Sequence, residues 1–264
     1  MSNNSKISVM ARLGYIARGV VYLIIGGLAV TAAFGTGGQT TDSKGALLTL
    51  LNQPFGAILL GLVGIGLACY AVWRFIQAIA DIDHHGSDAK GLAVRGGLLT
   101  GAITHVLLAV FAISLAIGWG YSSGGGDGPQ DWTAWLLNKP FGQWLVGIVG
   151  VIIIGVGIAH FVKALQEKYK QYLAMGADKM RWASPISKFG LSARGVVFCI
   201  IGGFLIVAAY QAQPEEARGL GGALQALQEQ PYGPWLLGVV ALGLVAFGVY
   251  SFIEARYRRI NYPY

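Results

Sequence analysis

The chain repeats one pattern three times, and each copy contains two apolar segments of roughly membrane-crossing length. The run Ala17-Arg18-Gly19-Val20-Val21-Tyr22 returns as Ala193-Arg194-Gly195-Val196-Val197-Phe198. A degraded copy lies between them, with Gly101 in place of the arginine and His105 in place of the final aromatic residue. Because an internal repeat fixes the unit of structure, it is considered before any other pattern. We therefore expect three equivalent units of two helices each.

The second half of each copy begins with a proline, an aromatic residue and a glycine, followed by a long apolar run. We call these tripeptides the corners: Pro54-Phe55-Gly56, Pro140-Phe141-Gly142 and Pro231-Tyr232-Gly233. The repeats are predicted at residues 11–82, 93–169 and 186–257, and are called repeats 1, 2 and 3.

The low charge content favours a membrane protein. Charged residues make up 12% of the chain, against about 25% in a soluble domain, and the mean hydropathy is +0.58. A helix needs about 20 apolar residues to cross a hydrocarbon layer of roughly 30 Å. Six segments reach or approach this length: 20–34, 56–73, 97–118, 144–162, 196–210 and 235–253. Within these limits the sequence has no Asp, Glu, Lys or Arg, which argues against an ion-coupled transporter.

The basic residues predict the orientation in the membrane. One side carries only Lys44, Lys139 and Arg218, so 16 of the 19 Lys and Arg residues fall on the side of the two termini. Cytoplasmic loops carry the excess of Lys and Arg, so both termini are predicted in the cytoplasm. This topology explains the net charge of +7, and no nucleic-acid partner is expected. The polar segment 1–8 lacks the features of a cleavable signal peptide.

The predicted fold is an all-α membrane protein whose six transmembrane helices form three parallel two-helix repeats. Because each repeat has an even number of helices, the repeats are related by an axis along the membrane normal. A ring with pseudo-threefold symmetry is the natural packing, and a row of hairpins is the alternative. Short amphipathic stretches at 45–52, 131–138 and 222–229 precede the corners and are predicted as interfacial helices on the outer surface.

Glycine and tryptophan indicate how the helices pack and where the membrane surfaces lie. Many of the 40 glycines recur at matched positions of the helices, and small residues let helices approach closely in lipid. Tight packing is therefore favoured over a pore-lining role. The seven tryptophans lie near the ends of the predicted segments and are interpreted as interfacial anchors.

Two arginines and one histidine are the candidate functional residues in or near the membrane. Arg18 and Arg194 are predicted to bind lipid phosphate, because arginine offers bidentate donors and its long side chain reaches the headgroups. Topological anchoring alone is the alternative. His105 lies about 15 Å along its helix from Arg95, near the midplane, where an unpartnered histidine is costly. It is therefore a candidate polar site or a neutral imidazole hydrogen-bonded to a neighbouring group.

A loop after the second predicted helix contains carboxylates and histidines that suit a metal such as zinc. Its members are Asp81, Asp83, His84, His85 and Asp88. Adjacent histidines in a polar loop are more often solvated, so no metal site is predicted. A haem shared by His105 and His160 is not predicted either, because their heights differ by on the order of 10 Å. The sequence has no recognisable catalytic constellation, so neither an enzyme nor a bound cofactor is expected.

The repeated motif resembles a known family. Gly14, the run Ala17 to Tyr22 and the following Ile24-Ile25-Gly26-Gly27 are similar to the bacterial membrane family catalogued as domain of unknown function 1206. The second-helix pattern, with Tyr70 and Arg74 after the first corner, is also similar. Repeat 2 departs from the pattern at Gly101 and His105. The resemblance implies tandem two-helix repeats in a bacterial cytoplasmic membrane and implies no activity.

Two functions remain open. The favoured one is a structural or accessory membrane protein that packs against a larger membrane complex or lipid, because the loops are short and glycine-rich faces suit helix docking. Membrane lipids and a membrane protein are therefore the expected partners. The alternative is a passive channel or pore for a small solute along the pseudo-threefold axis, with Arg18 and Arg194 around its vestibule.

Overall fold

The computed structural model describes residues 3–35, 38–119 and 128–260, which form nine α-helices. They are α1 (Asn3–Ala33), α2 (Ser43–Leu51), α3 (Gly56–Ala80), α4 (Ala89–Ala116), α5 (Pro129–Leu137), α6 (Gly142–Leu165), α7 (Ala177–Gln211), α8 (Leu220–Gln228) and α9 (Gly233–Tyr257). Six of them, all except α2, α5 and α8, are long and apolar enough to cross a membrane. The predicted all-α membrane fold is confirmed.

Several long helices extend beyond the predicted apolar segments on the side of the chain termini, which we call the termini side. Helix α1 begins at Asn3 rather than at residue 20, and α7 begins at Ala177 rather than at residue 196. Lys, Arg, Gln and Ala are good helix formers, so the helices continue where the apolar pattern stops. As a result Arg18, Arg194 and Glu254 lie inside helices, although the charge-free segments drawn from the sequence excluded them.

Each corner joins a short helix to a long one in the same way. The aromatic residues Phe55, Phe141 and Tyr232 have φ values of 60°, 62° and 62°, in the left-handed region. A methyl group on the next residue, Gly56, would lie 2.0 Å from the carbonyl oxygen of Leu51. The other two corner glycines are equally close to the preceding helix. Only glycine fits at this position, which explains its recurrence.

The six long helices pack side by side, and the first helix of the chain, α1, contacts the last, α9. The extensive interfaces are α1–α3, α3–α4, α6–α7, α7–α9 and α9–α1. The last of these joins repeat 3 to repeat 1, as a ring requires and a row of consecutive hairpins does not. Within the described part of the chain, α4 and α6 of repeat 2 have no comparable interface. The helices therefore form a ring with one interface missing.

Small residues hold the hairpins of repeats 1 and 3 closed. A methyl group on Gly66 would lie 2.5 Å from Cβ of Ala17, and one on Gly243 would lie 2.2 Å from Cβ of Ala193. These contacts join α1 to α3 and α7 to α9. Approach this close is possible only because glycine has no side chain.

Repeat 2 has different residues at the matching positions. At the same distance from its corner, α6 carries Ile152, which is 58% exposed. A methyl group on Gly14 or Gly190 would lie 2.5–2.6 Å from the backbone of the second helix of its repeat, whereas Gly97, the matching residue of α4, has nothing within 4 Å. In its described residues, repeat 2 therefore lacks the close glycine contacts of the other two repeats, and its hairpin is open.

The short helices α2 and α8 pack inside one end of the ring, and we call this end the short-helix side. Ala46 and Leu47 of α2 and Leu224 of α8 are fully buried, in one continuous apolar core with Val21 and Ile25 of α1. The predicted short helices are therefore present, one or two residues from their expected bounds, and one face of α2 and α8 is buried in protein.

Candidate functional site

A buried ion pair joins α1 to α9 on the termini side of the ring. Arg18 is 2% exposed and its Nη2 donates to Glu254 at 2.5 Å. Its Nε donates to the hydroxyl of Ser251 at 3.0 Å, and its Nη1 donates to the hydroxyl of Tyr70 at 2.5 Å. At about 1.5 Å per residue, Arg18 lies about 22 Å from the end of α1 at Ala33. The pair therefore lies near the middle of α1, in a helix long and apolar enough to cross a membrane.

Further polar contacts extend this pair to α3 and to the loop after it. Arg258 donates to Glu254 at 2.8 Å and to Asp83 at 2.9 Å. Gln77 donates to Asp83 at 2.6 Å, and Arg74 donates to Gln77 at 3.3 Å and to the hydroxyl of Tyr70 at 2.8 Å. The contacts return to Arg18 through Tyr70. We call these residues the ion cluster: Arg18, Tyr70, Arg74, Gln77, Asp83, Glu254 and Arg258.

The linker between repeats 2 and 3 holds Arg258 in place. Leu173 of this linker forms an antiparallel bridge with Arg258. The linker itself is fixed by Glu167, which accepts from Lys170 and is 2.6 Å from Nζ of Lys188. These two hydrogen-bonded cations lower the pKa of Glu167 to about 2. The linker therefore positions an arginine of the ion cluster.

A tryptophan predicted as an interfacial anchor is part of the same region. Trp73 is fully buried and donates its indole N–H to the hydroxyl of Tyr15 at 3.0 Å. Its predicted role as an interfacial anchor is therefore wrong, because its side chain is buried inside the protein. The other six tryptophans are between 46% and 75% exposed.

Arg194 matches Arg18 in the repeat and lies over the same Phe247 ring, but it lacks the carboxylate partner of Arg18 among the described residues. Its guanidinium carbon lies 4.6 Å from the ring centre of Phe247, 5.1 Å from that of Phe198 and 5.4 Å from that of Tyr22. Its Nε is buried and has no hydrogen-bond partner among the described residues. No carboxylate in the described part of the chain forms a salt bridge with it.

The sequence explains why Arg194 lacks the acid that Arg18 has. Glu254 lies on the second helix of repeat 3, which packs against α1. The residue at the same distance from its corner in repeat 2, on the helix that packs against α7, is Lys163. Where the first interface has an anion, the matching interface has a second cation.

A cavity of about 250 Å³ lies beside both arginines. Its polar walls include Tyr22, Thr104 and His105, and α1, α2, α3, α4 and α7 all contribute to it. Thr104 is exposed, whereas the matching Val21 and Val197 of the other repeats are buried. The cavity is therefore open on the side of α4, where repeat 2 lacks its hairpin contact.

The two membrane histidines lie at separate interfaces. His105 stacks edge-on against Tyr70, with ring centres 4.7 Å apart, and its Nδ1 is 2.7 Å from the carbonyl oxygen of Gly101. His160 lies 5.4 Å from the ring of Phe198, and its Nδ1 is 2.8 Å from the carbonyl oxygen of Val156. Each imidazole thus bonds to a carbonyl of its own helix, as the alternative interpretation of His105 described.

The carboxylates of the loop that follows α3, which were considered as metal ligands, form hydrogen bonds within the protein. Asp81 accepts from the backbone N–H groups of Gly86 and His85, which lower its pKa. Asp83 belongs to the ion cluster, and Asp88 caps the start of α4 by accepting from the N–H of Gly91 at 2.9 Å. The last member, His84, has a left-handed backbone with φ of 52°. Among the described residues no group of three or more His, Cys, Asp or Glu side chains has an arrangement for a metal ion.

Sequence reasoning singled out the arginines and missed their partners. Glu254 and Arg258 lie just past the predicted sixth segment, at 235–253. The sequence contained one signal for these partners. Gln77, Lys163 and Glu254 are polar residues that lie the same number of residues after their corners. The predicted contact of Arg18 and Arg194 with lipid phosphate stays a prediction.

Comparison with known proteins agrees with this threefold pattern. The model of the family described as Domain of Unknown Function (DUF1206) matches the chain three times, at residues 13–81, 96–167 and 189–258. The chain belongs to this family. A protein of Bacillus subtilis (strain 168), described as Uncharacterized protein YxxB, is 36% identical over 259 residues, which cover 97% of this chain and 93% of the relative. No solved structure matches the chain.

Proposed function

We propose that the protein is a non-conducting accessory component of the bacterial cytoplasmic membrane, with both termini in the cytoplasm, that packs against a larger membrane complex. The observation that carries this proposal is the missing α4–α6 interface. Only 22% of the most apolar window of α4 and 17% of that of α6 are buried, against 39–61% in the other four long helices. Repeat 2 therefore offers two helices to a neighbour, while repeats 1 and 3 form the stable body.

The packing of the interior supports the absence of conduction. On the short-helix side, α2 and α8 belong to one apolar core with the long helices. Apolar constrictions stop ions because water leaves them. Reconstituted protein is expected to give no ion or small-solute flux above that of empty liposomes. Flux with the wild-type protein would favour the alternative, a passive channel, for which the cavity between Arg18 and Arg194 is the supporting observation.

The docking role is tested by photo-crosslinking in intact cells. A photoreactive residue at Ile103 of α4 or Ile148 of α6, which are 50% and 53% exposed, is expected to form an adduct with the same membrane protein. Leu62 of α3 and Val239 of α9, 62% and 55% exposed, are the matched controls on repeats 1 and 3. Equal labelling from all four positions, or lipid adducts alone, would contradict docking through repeat 2.

A further inference from the structure

The cavity beside Arg18 and Arg194 has an excess of positive charge. The ion cluster contains three arginines and only two carboxylates, so it retains one positive charge before Arg194 is added. Arg194 has aromatic rings around it and a buried Nε that has no hydrogen-bond partner within residues 3–35, 38–119 and 128–260. An uncompensated cation at membrane depth is costly, and an anion beside it lowers that cost.

The walls of the cavity offer the donors that a phosphate group uses. Arginine binds phosphate oxygens through two parallel N–H donors, and the hydroxyl of Tyr22 stands on the same wall. Thr104 also lines the cavity, and its hydroxyl donates to the carbonyl oxygens of Thr100 and Gly101 of its own helix. The volume of about 250 Å³ corresponds to about eight water molecules in the liquid. A phosphate group with part of a glycerol fits this space, whereas acyl chains do not.

The cavity opens toward the gap between α4 and α6, where the acyl chains of a lipid can lie. In repeats 1 and 3 the residues that match Thr104, Val21 and Val197, are buried, but in the described part of repeat 2 α6 has no extensive interface with α4. Gly97 and Gly101, on the α4 turns that lead to Thr104, both have open space beside them. A lipid entering sideways would place its chains between α4 and α6 and its headgroup between the arginines.

We propose that this cavity binds a phosphate group between Arg18 and Arg194, and that the group belongs to a phospholipid that enters between α4 and α6. The proposal deepens the proposed function by giving repeat 2 a ligand, and it rests on that function only for the placement of the helices in a membrane. The results of the flux and crosslinking experiments are therefore independent of this proposal.

The test measures ligand binding to the full-length protein in detergent after delipidation. Phosphatidylglycerol is titrated by native mass spectrometry, and inorganic phosphate is titrated in a parallel thermal-unfolding series. The variants are Arg194→Gln, which removes the charge, and Thr104→Phe, which fills the open wall at an exposed position. Arg181→Gln, at an exposed position of the same helix, is the matched control.

Phosphatidylglycerol is expected to bind Arg194→Gln and Thr104→Phe about tenfold more weakly than wild type, because a charge-assisted hydrogen bond is lost or blocked. Arg181→Gln is expected to bind as wild type does. If inorganic phosphate alone distinguishes wild type from these variants, the phosphate site stands and its lipid source is wrong. If Arg194→Gln does not fold, Thr104→Phe decides. Wild-type binding of both probes by Thr104→Phe overturns the proposal.

Discussion

Repeats 1 and 3 are closed hairpins, and repeat 2 is an open one, although all three share one sequence pattern. The interfaces between repeats are alike, since Gly26 approaches α9, Gly64 approaches α4 and Gly150 approaches α7. At the contact within a repeat both partners differ in repeat 2: Ile152 replaces the glycine found at residues 66 and 243, and Thr100 replaces the alanine found at residues 17 and 193. The comparison teaches that a ring of helices can lose the close packing of one repeat and keep the interfaces between repeats.

The polar interior differs between the repeats in the same way. Arg18 of repeat 1 has Glu254 as its partner, whereas the residue of repeat 2 that matches Glu254, on the helix packed against that of Arg194, is Lys163. Repeat 2 itself has Gly101 in place of an arginine. Loss of packing and loss of charge balance therefore coincide in the sector that contains repeat 2.

The largest effect is expected from the ion pair. Glu254→Gln leaves Arg18 and Arg258 without their shared carboxylate, and breaking a buried pair costs about 3–5 kcal/mol of unfolding free energy. Lys163→Gln, at the matching position of repeat 2, is expected to change it by less than about 1 kcal/mol. Denaturant unfolding in detergent measures both. Equal losses in the two variants would show that the matched positions are energetically alike.

A smaller effect is expected from a single methyl group. Gly14→Ala brings Cβ to within 2.6 Å of the backbone of α3, and overpacking of this kind costs about 1–3 kcal/mol. Gly97→Ala, where the space is open, is expected to leave stability unchanged or to raise it by up to about 1 kcal/mol through helix propensity. The same unfolding assay applies. A similar destabilisation at both positions would mean that repeat 2 is packed as tightly as repeat 1.

The smallest effect is expected at the corners, where all three repeats are alike. Phe55→Gly and Phe141→Gly relieve a left-handed φ worth about 1–2 kcal/mol but add backbone freedom to the unfolded chain. The unfolding free energy is therefore expected to change by within about 1 kcal/mol, and equally in both variants. A difference above about 2 kcal/mol between them, measured in parallel unfolding curves, would show that the corners are not equivalent.

Most of the fold was predictable because it follows from local patterns. The length of each apolar run predicts the length of a helix. The three corners predict where the chain reverses, and the recurring glycines predict where helices pack closely. The open side was not predicted, since Ile152 reads locally as an ordinary apolar residue and its effect depends on what faces it. The partners of Arg18 were missed because Glu254 and Arg258 lie outside the apolar run, and burial of an ion pair depends on tertiary contacts.

Cysteine crosslinking between the two helices of each repeat tests the central claim most directly. With Cys69 and Cys199 replaced by alanine, paired cysteines are placed at residues 17 and 66, 193 and 243, and 100 and 152. A disulfide requires Cβ atoms about 3.8 Å apart, which the first two pairs reach after a shift of about 1–2 Å. The account predicts that oxidation in the membrane crosslinks pairs 17/66 and 193/243 and leaves pair 100/152 reduced. Crosslinking of 100/152 as complete as that of 17/66 would contradict the open hairpin.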